Sequence, residues 1–181
     1  MKKVWKFLSL IGHPLIQLPI WFFVISSYYY GAFIAFLLLP LVVISGSVFP
    51  YFLYRGKNSD LREVRPRVLF ISSILYFIVS LIIFNYIISA IALLTTSLVT
   101  FVDGLISLKW KISIHATAIS GFITYGYLTI GFPVLFWVPF GFLVVISRYV
   151  LRKHTISQLF AGTLIGFIIS LIIWAIYLNE F

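Results

Sequence analysis

Three short basic segments contain most of the side chains that could do chemistry. They are residues 55–67, 109–115 and 147–158. The first contains Arg65, the second ends in His115, and the third contains Arg148 and His154. Arginine forks bind phosphate oxygens in a bidentate way and stay charged, and helix N-termini add backbone donors. A neutral histidine can attack phosphorus, and a second one can protonate the leaving oxygen. These residue types therefore indicate phosphate chemistry.

Metal-dependent and thiol chemistry have little support in the sequence. The chain has four Asp and Glu residues, which are scattered, and it has no Cys and no HExxH pattern. We therefore expect no metal and no other cofactor. Basic loops on a cytoplasmic face would account for the cations, but they would not account for two histidines that follow basic residues at predicted helix starts.

The composition places these segments in a membrane protein. Of 181 residues, 62% are hydrophobic and 9% are charged, and the mean hydropathy is +1.15. A soluble domain carries roughly a quarter charged residues, so a soluble enzyme, a disordered tail and a secreted disulfide scaffold are excluded. The formal charge of +9 is confined to short segments between apolar runs. It therefore favours phosphate groups and lipid headgroups as partners, and argues against nucleic acid.

Long uncharged blocks separate the basic segments and must position them. They cover residues 14–54, 68–107, 116–147 and 155–178. Since a helix of about 20 apolar residues crosses a bilayer, the first three blocks predict two crossings each and the last predicts one. Turns are predicted near residues 28–31, 85–89 and 131–133. The predicted fold class is all-α, a polytopic transmembrane helical bundle of seven spans, or six if one segment is re-entrant. It forms a single transmembrane domain over residues 1–181.

The distribution of cations predicts the sidedness of the bundle. If each of the first three blocks crosses twice, all 13 Lys and Arg residues lie on one face of the membrane. The positive-inside tendency places that face in the cytoplasm and the C-terminus outside, in the plasma membrane. His13 is interpreted as an interfacial anchor at the start of the first block. Gly162-x3-Gly166 fits small-residue helix packing, either within one chain or between the subunits of a homo-oligomer.

The third basic segment resembles a motif of the type 2 phosphatidic acid phosphatase superfamily (PAP2). The signature of that superfamily is K-x6-R-P, then P-S-G-H, then S-R-x5-H-x3-D. Here the third motif consists of Ser147-Arg148, five residues, His154, three residues and Gln158. It matches the signature at every fixed position except the last.

The first two segments are similar to the remaining motifs of the signature. Lys111-Ile-Ser113-Ile-His115 keeps the serine two residues before the histidine but lacks the Pro and Gly. Arg65-Pro66 matches R-P, and Lys57 lies one residue from the position of the expected lysine. The similarity of spacing covers residues 57–158, and the resemblance implies a PAP2-like core.

The resemblance also implies a role for each matching residue. His154 would be the nucleophile that forms a phosphohistidine, and His115 would be the general acid for the leaving group. The residues implied or considered as phosphate ligands are Arg65, Ser113 and Arg148, with Lys57, Arg62 and Lys111 as further candidates. The reaction would be metal-independent.

Gln158 is the main departure from the superfamily pattern. The aspartate expected there would orient the nucleophilic histidine and stabilise its positive charge. Residues 154 and 158 are four apart, so they share one helical face and their contact is available. A glutamine oxygen can accept the Nδ1–H of His154, but it supplies no negative charge. Either the chemistry is slower, or Asp60 or Glu63 replaces the charge, or the site only binds phosphate.

The sequence therefore predicts a membrane lipid phosphatase or diphosphatase that removes phosphate from a lipid phosphate. Isoprenoid phosphates and diphosphates are as compatible with the headgroup site as phosphatidic acid. The alternative is a catalytically degenerate PAP2-like protein that binds anionic lipid headgroups or scaffolds a membrane complex. A transporter of phosphorylated lipid ranks last, because the predicted spans contain almost no internal charge and no pair of broken helices.

Overall fold

The structure is a computed structural model that describes residues 2–48 and 64–180. Over these residues the chain consists of helices and short turns, with no β-strand, which confirms the all-helical class. The helices are α1 (Lys2–Ile11), α2 (Pro14–Tyr30), α3 (Ala32–Val43), α4 (Val64–Ile82), α5 (Ile87–Ser107), α6 (Ile114–Ile130), α7 (Val138–Val150) and α8 (Ile156–Glu180). A π-helical turn over Ile44–Val48 follows α3, and a 3-10 segment over Phe132–Trp137 precedes α7.

Four helical segments of the described chain are long and apolar enough to cross a membrane. They are Val64–Ile82, Ile87–Ser107, Phe132–Val150 and Ile156–Asn179. A fifth is added if α1 and α2, which are bent by 49° at their junction, count as one span. By length and composition, these helices suit a membrane-embedded chain. The count of six or seven spans stays a prediction.

The three predicted turns are present. Gly31 and Gly131 have φ angles of 83° and 89°, a left-handed conformation that glycine adopts without a steric cost. The turn between α4 and α5 covers residues 83–86 and therefore begins slightly before the predicted position. In each case the chain turns where the uninterrupted apolar run becomes too long for a single crossing.

The chain forms two compact units. Unit 1 contains Met1–Leu18 and Ile112–Phe181, and unit 2 contains Pro19–Lys111. The division falls within α2 and just before α6. The single domain over residues 1–181 stays a prediction.

Serine hydroxyl groups form hydrogen bonds between the helices of unit 2. Helices α4 and α5 form an antiparallel hairpin in which the Ser73 and Ser97 hydroxyls each donate to the other residue's carbonyl, at 2.9 and 2.8 Å. The hydroxyls of Ser26 and Ser89 lie 2.8 Å apart. Small polar residues let apolar helices approach closely and supply the hydrogen bonds that lipid cannot.

Small residues bring α6 and α8 of unit 1 together as parallel neighbours. A Cβ at Gly162 would lie 2.8 Å from the Ser113 carbonyl oxygen, and a Cβ at Gly166 would overlap the Thr117 carbonyl oxygen. One turn further, the Ser170 hydroxyl donates to the Gly121 carbonyl oxygen at 3.3 Å. The Gly162-x3-Gly166 pattern therefore packs two helices of one chain, and it places the N-terminal ends of α6 and α8 at the same end of unit 1.

Candidate functional site

The structure brings several of the predicted site residues together in unit 1. These are Ser113, His115, Arg148, His154 and Gln158. Arg65, the second residue of α4 and buried, and Lys111, which is half-buried, belong to unit 2. The predicted residues that lie outside the described part of the chain are Lys57, Asp60, Arg62 and Glu63.

Ser113 starts the helix that holds His115. Its backbone is extended, with φ −91° and ψ 96°, and its hydroxyl accepts a hydrogen bond from the Ala116 N–H at 3.4 Å, so it is the N-cap of α6. His115 follows in the first turn, before the uncharged block that begins at residue 116. The backbone N–H groups of this turn carry the positive end of the helix dipole, an arrangement that attracts anions.

His115 is a buried imidazole whose nitrogens make no short, well-aligned hydrogen bond within the described chain. Its exposed fraction is 3%, and the backbone of Ser9 is a nearby polar group that acts on the ring. The ring lies edge-on to that of His13, with 4.9 Å between centroids and an interplanar angle of 86°. Leaving a buried polar group without a partner costs about 1–3 kcal/mol, so such groups tend to mark functional positions.

The surroundings of His115 favour its neutral form. Burial is the largest effect and lowers its pKa well below the usual value of 6.5. The charge of Arg148 acts in the same direction, as do those of His13 and His154 when they are protonated. A hydrogen-bonding interaction with the backbone of Ser9 acts in the opposite direction and raises the pKa of His115. These interactions place the named cationic groups within electrostatic reach of His115.

Arg148 lies in the last turn of α7 and reaches towards α1. Its Nη1 donates a hydrogen bond to the Ser9 hydroxyl at 2.6 Å. The preceding Ser147 is fully buried, and its hydroxyl donates to the Val144 carbonyl oxygen at 2.6 Å. The Ser147 hydroxyl therefore bonds within its own helix, and Arg148 is the residue of this pair that places a positive charge at the site.

The five residues between Arg148 and His154 contain a Schellman motif, which ends α7. The Lys153 N–H donates to the Arg148 carbonyl at 3.0 Å, and the Arg152 N–H donates to the Tyr149 carbonyl at 2.8 Å. Arg152 takes the left-handed position with φ 53°, which is usually occupied by glycine. This compact helix ending turns the chain directly from α7 towards α8, and leaves His154 buried.

A capping box fixes the partner of His154. The Gln158 N–H donates to the Thr155 hydroxyl at 3.4 Å, and the Thr155 N–H donates to Gln158 Oε1 at 3.2 Å. His154 Nδ1 lies 3.1 Å from that same Oε1. Because the oxygen can only accept, Nδ1 must carry the proton that it shares with Gln158. In a neutral ring, the lone pair of the imidazole is then on Nε2 of His154.

The site end of unit 1 is strongly cationic. The one acidic side chain in the sequence of unit 1, Glu180, ends α8 at the opposite end from His154. The basic residues on or next to α1, α7 and α8 are Lys2, Lys3, Lys6, Arg148, Arg152 and Lys153. Two helix N-termini add their dipoles at the same end. The arrangement suits a multiply charged oxyanion.

Sequence reasoning missed Ser9 and Thr155. The T-x-x-Q pattern of a capping box is a local signal that could have indicated Thr155. Ser9 carries no such signal, because its partner is 139 positions away in the sequence. His13, interpreted as an interfacial anchor, lies against the ring of His115.

Comparisons with known proteins add no further assignment. No family model matches the chain, and neither a curated protein nor a solved structure matches it. Within residues 2–48 and 64–180, no group of three or more His, Asp or Glu side chains is arranged to hold a metal ion. The functional argument therefore depends on the geometry of the chain's own residues.

Proposed function

We propose that the protein is an integral membrane lipid phosphatase or diphosphatase with a PAP2-like core. The observation that carries the proposal is the buried His115. Its two ring nitrogens make no short hydrogen bond, and it lies at a helix N-terminus within electrostatic reach of Arg148 and His154. This combination supplies an anion-binding end, a nucleophile and a proton donor in one place. The Gln158 contact that orients His154 adds support.

In the proposed reaction, His154 is the nucleophile. Its Nε2 lone pair attacks the phosphorus of a lipid phosphate while Nδ1–H donates to Gln158. The bond between phosphorus and the lipid oxygen breaks, and its electron pair stays with that oxygen. The product of this step is a phosphohistidine. Gln158 stabilises the cationic ring by hydrogen bonding only, since it has no charge.

His115 supplies the proton to the leaving oxygen. A phosphate dianion beside the ring favours the imidazolium, opposing the effect of burial. The proton then passes to the lipid alkoxide, and neutral His115 accepts a proton from the water that attacks the phosphohistidine. Inorganic phosphate and free His154 result.

The phosphoryl oxygens would be held by Arg148, by Ser113 and by backbone N–H groups near the start of α6. The further ligand candidates, which rest on the sequence resemblance alone, are Arg65, Lys57, Arg62 and Lys111. Phosphatidate and isoprenoid phosphates or diphosphates are the substrate classes, because a headgroup site says little about the lipid tail.

A span count of seven fits the proposed fold. The short helix α3 and residues 116–130 of α6 would then cross in addition to the five segments that meet the length requirement. This part of α6 covers roughly 22 Å, less than a hydrocarbon core. We propose that the basic ends of the helices face the cytoplasm in the plasma membrane, and that the C-terminus lies outside.

Phosphate release from a lipid panel tests the proposal. Purified protein in liposomes would be given phosphatidate, lysophosphatidate, and polyprenyl mono- and diphosphates, with His154→Ala beside the wild type. Ser157→Ala is the matched control, because it removes an exposed neighbouring side chain and leaves both histidines and all the cations. We expect release by the wild type and the control and none by His154→Ala. Equal release by His154→Ala and the wild type would refute the mechanism.

A second candidate function is a phosphate-binding protein without catalysis. The neutral partner of His154 favours it, because loss of the carboxylate from a comparable triad can lower the rate about 10⁴-fold. This candidate predicts saturable binding of phosphatidate liposomes that Arg148→Ala weakens, with no phosphate release from any lipid of the panel. Release by the wild type would exclude it.

A further inference from the structure

The end of α1 contacts two side chains of the candidate site. Ser9, which is buried, accepts the hydrogen bond from Arg148 Nη1 at 2.6 Å. Hydrogen bonds to charged groups are among the stronger ones in proteins. An arginine side chain has many rotamers, and holding one of them before the ligand arrives removes part of the entropic cost of binding. The Ser9 hydroxyl therefore holds the Arg148 guanidinium in one orientation.

His13 makes the second contact, and its own orientation is fixed. Its Nδ1 accepts a hydrogen bond from the Leu15 N–H at 3.2 Å, so the side chain caps the start of α2 while Pro14 occupies the first helical position. The same ring lies edge-on to His115 at 4.9 Å. The His13 side chain thus makes two contacts: its Nδ1 caps α2, and its ring lies against the buried His115 ring.

The backbone between these two residues is held in place. Gly12 faces Val144 of α7 so closely that a Cβ would overlap the valine side chain. The Ile11 carbonyl accepts a hydrogen bond from Gln17 Nε2 at 2.6 Å, and the Gly12 N–H donates to the Leu8 carbonyl at 2.9 Å. The bend between α1 and α2 is therefore packed against the helix that carries Arg148.

We propose that the segment Ser9–His13 is a positioning element of the phosphate site, in which Ser9 orients the Arg148 guanidinium and the His13 ring orients the His115 imidazole. This inference rests on the proposed function, because it states how two of its residues are prepared for the phosphate. Ser9 and His13 act through Arg148 and His115, so they are positioning residues.

Two substitutions of His13 separate its helix cap from its ring. His13→Asn keeps a side chain that caps helices well but removes the ring beside His115. His13→Phe keeps a ring of similar width but removes the cap. We expect His13→Asn to keep the thermal midpoint and to lower kcat for phosphatidate about tenfold. We expect His13→Phe to lower the midpoint and to keep most of kcat. The opposite pattern would overturn the role of His13, because a purely structural cap predicts it.

Ser9→Ala tests the other contact. It removes the hydroxyl and changes little volume, so we expect KM for phosphatidate to rise about tenfold with kcat changed less. Ser9→Thr keeps the hydroxyl and is expected to restore KM. An unchanged KM in Ser9→Ala at an unchanged thermal midpoint would overturn the role of Ser9.

A measurement without substrate separates this inference from the proposed function. The chain has three histidines, so ¹⁵N-histidine labelling gives few ring signals, and single substitutions assign them. We expect the His115 ring signals to shift or broaden in His13→Asn. If the wild type cleaves no lipid of the panel while these signals change, the proposed function fails and the positioning contact stands. Unchanged His115 signals in His13→Asn would overturn the positioning contact, whatever the activity.

Discussion

At the scale of single residues, the neutral side chain of Gln158 is the hydrogen-bonding partner of His154. Its Oε1 accepts from the Thr155 N–H and lies 3.1 Å from His154 Nδ1. Both contacts use the Oε1 atom of Gln158. Glutamate has the same side-chain length, so it would introduce a negative charge and keep an oxygen at this position. Aspartate, the residue of the superfamily motif, is one methylene shorter.

We predict that Gln158→Glu releases phosphate about tenfold faster than the wild type. The carboxylate would keep both contacts and stabilise the cationic phosphohistidine electrostatically. Initial rates with the best lipid of the panel measure the effect, and Gln158→Asp is the matched variant with the same charge and shorter reach. We expect Gln158→Asp to gain less. A Gln158→Glu rate at or below that of the wild type would contradict this account.

Burial of His115 predicts that acid destabilises the folded protein. Its pKa is lowered in the folded state, so below pH 6.5 the unfolded chain binds a proton that the folded chain does not. Stability contributed by neutral His115 is present above pH 6.5 and is lost as the pH falls, by up to about 1.4 kcal/mol per pH unit. We expect the thermal midpoint in detergent to fall more between pH 7.5 and 5.5 in the wild type than in His115→Gln. Parallel slopes would contradict the prediction.

The sequence predicted a contact between residues within one helical turn, but it did not predict the contact between residues far apart in the chain. The contact of His154 with Gln158 follows from their spacing of four residues. The start of α6 before His115 was indicated by the end of the charged segment. By contrast, the bond between Ser9 and Arg148 depends on how α1 packs on α7, and a local sequence pattern carries no information about that packing.

At the scale of helices, the interface between α6 and α8 keeps the two histidine-bearing ends together. The interface is lined by small residues on both helices, namely Ser113, Thr117, Gly121, Gly162, Gly166 and Ser170. Neighbouring backbones can therefore approach more closely than ordinary side chains allow. Any group that separates the helices should disturb the site one or two turns away.

We predict that Gly166→Ala lowers both stability and phosphate release. Its Cβ would overlap the Thr117 carbonyl oxygen, which belongs to the backbone and cannot move aside cheaply. Gly121→Ala is the control in the same interface, because its Cβ would lie 3.5 Å or more from its neighbours and alanine favours helix by up to about 1 kcal/mol. We expect a lower thermal midpoint and slower release for Gly166→Ala only. Equal behaviour of the two variants would contradict the close-packing argument.

The sequence predicted most helices and turns but not the way α7 ends. A long apolar block with an internal glycine predicts two helices joined by a turn, and the structure has that arrangement around Gly31 and Gly131. The left-handed residue that ends α7 is Arg152, where local rules expect glycine or asparagine. The hydrogen bonds of the Schellman motif hold arginine there, and these depend on the packed helix end rather than on the residue type.

At the scale of the whole molecule, cations collect at one end of each unit. In unit 1 they lie on α1, near the end of α7 and before the start of α8. In unit 2 the described cations flank the start of α4 and the end of α5. The opposite ends are the turns at Gly31, at residues 83–86 and at Gly131, which contain no Lys or Arg. Within each unit, this is the asymmetry on which the positive-inside tendency acts.

Cysteine labelling tests the proposed sidedness cleanly, because the natural chain has no Cys. Lys153→Cys and Arg67→Cys place an exposed thiol at the basic ends, and Tyr28→Cys and Phe132→Cys place one at the opposite ends. With a membrane-impermeant maleimide, we expect intact cells to label only the second pair, and permeabilised cells to label all four. The two pairs control for each other's expression and reactivity. Labelling of Lys153→Cys in intact cells would place the proposed phosphate site outside the cytoplasm, and the proposed lipid substrates would then have to be presented in the outer leaflet.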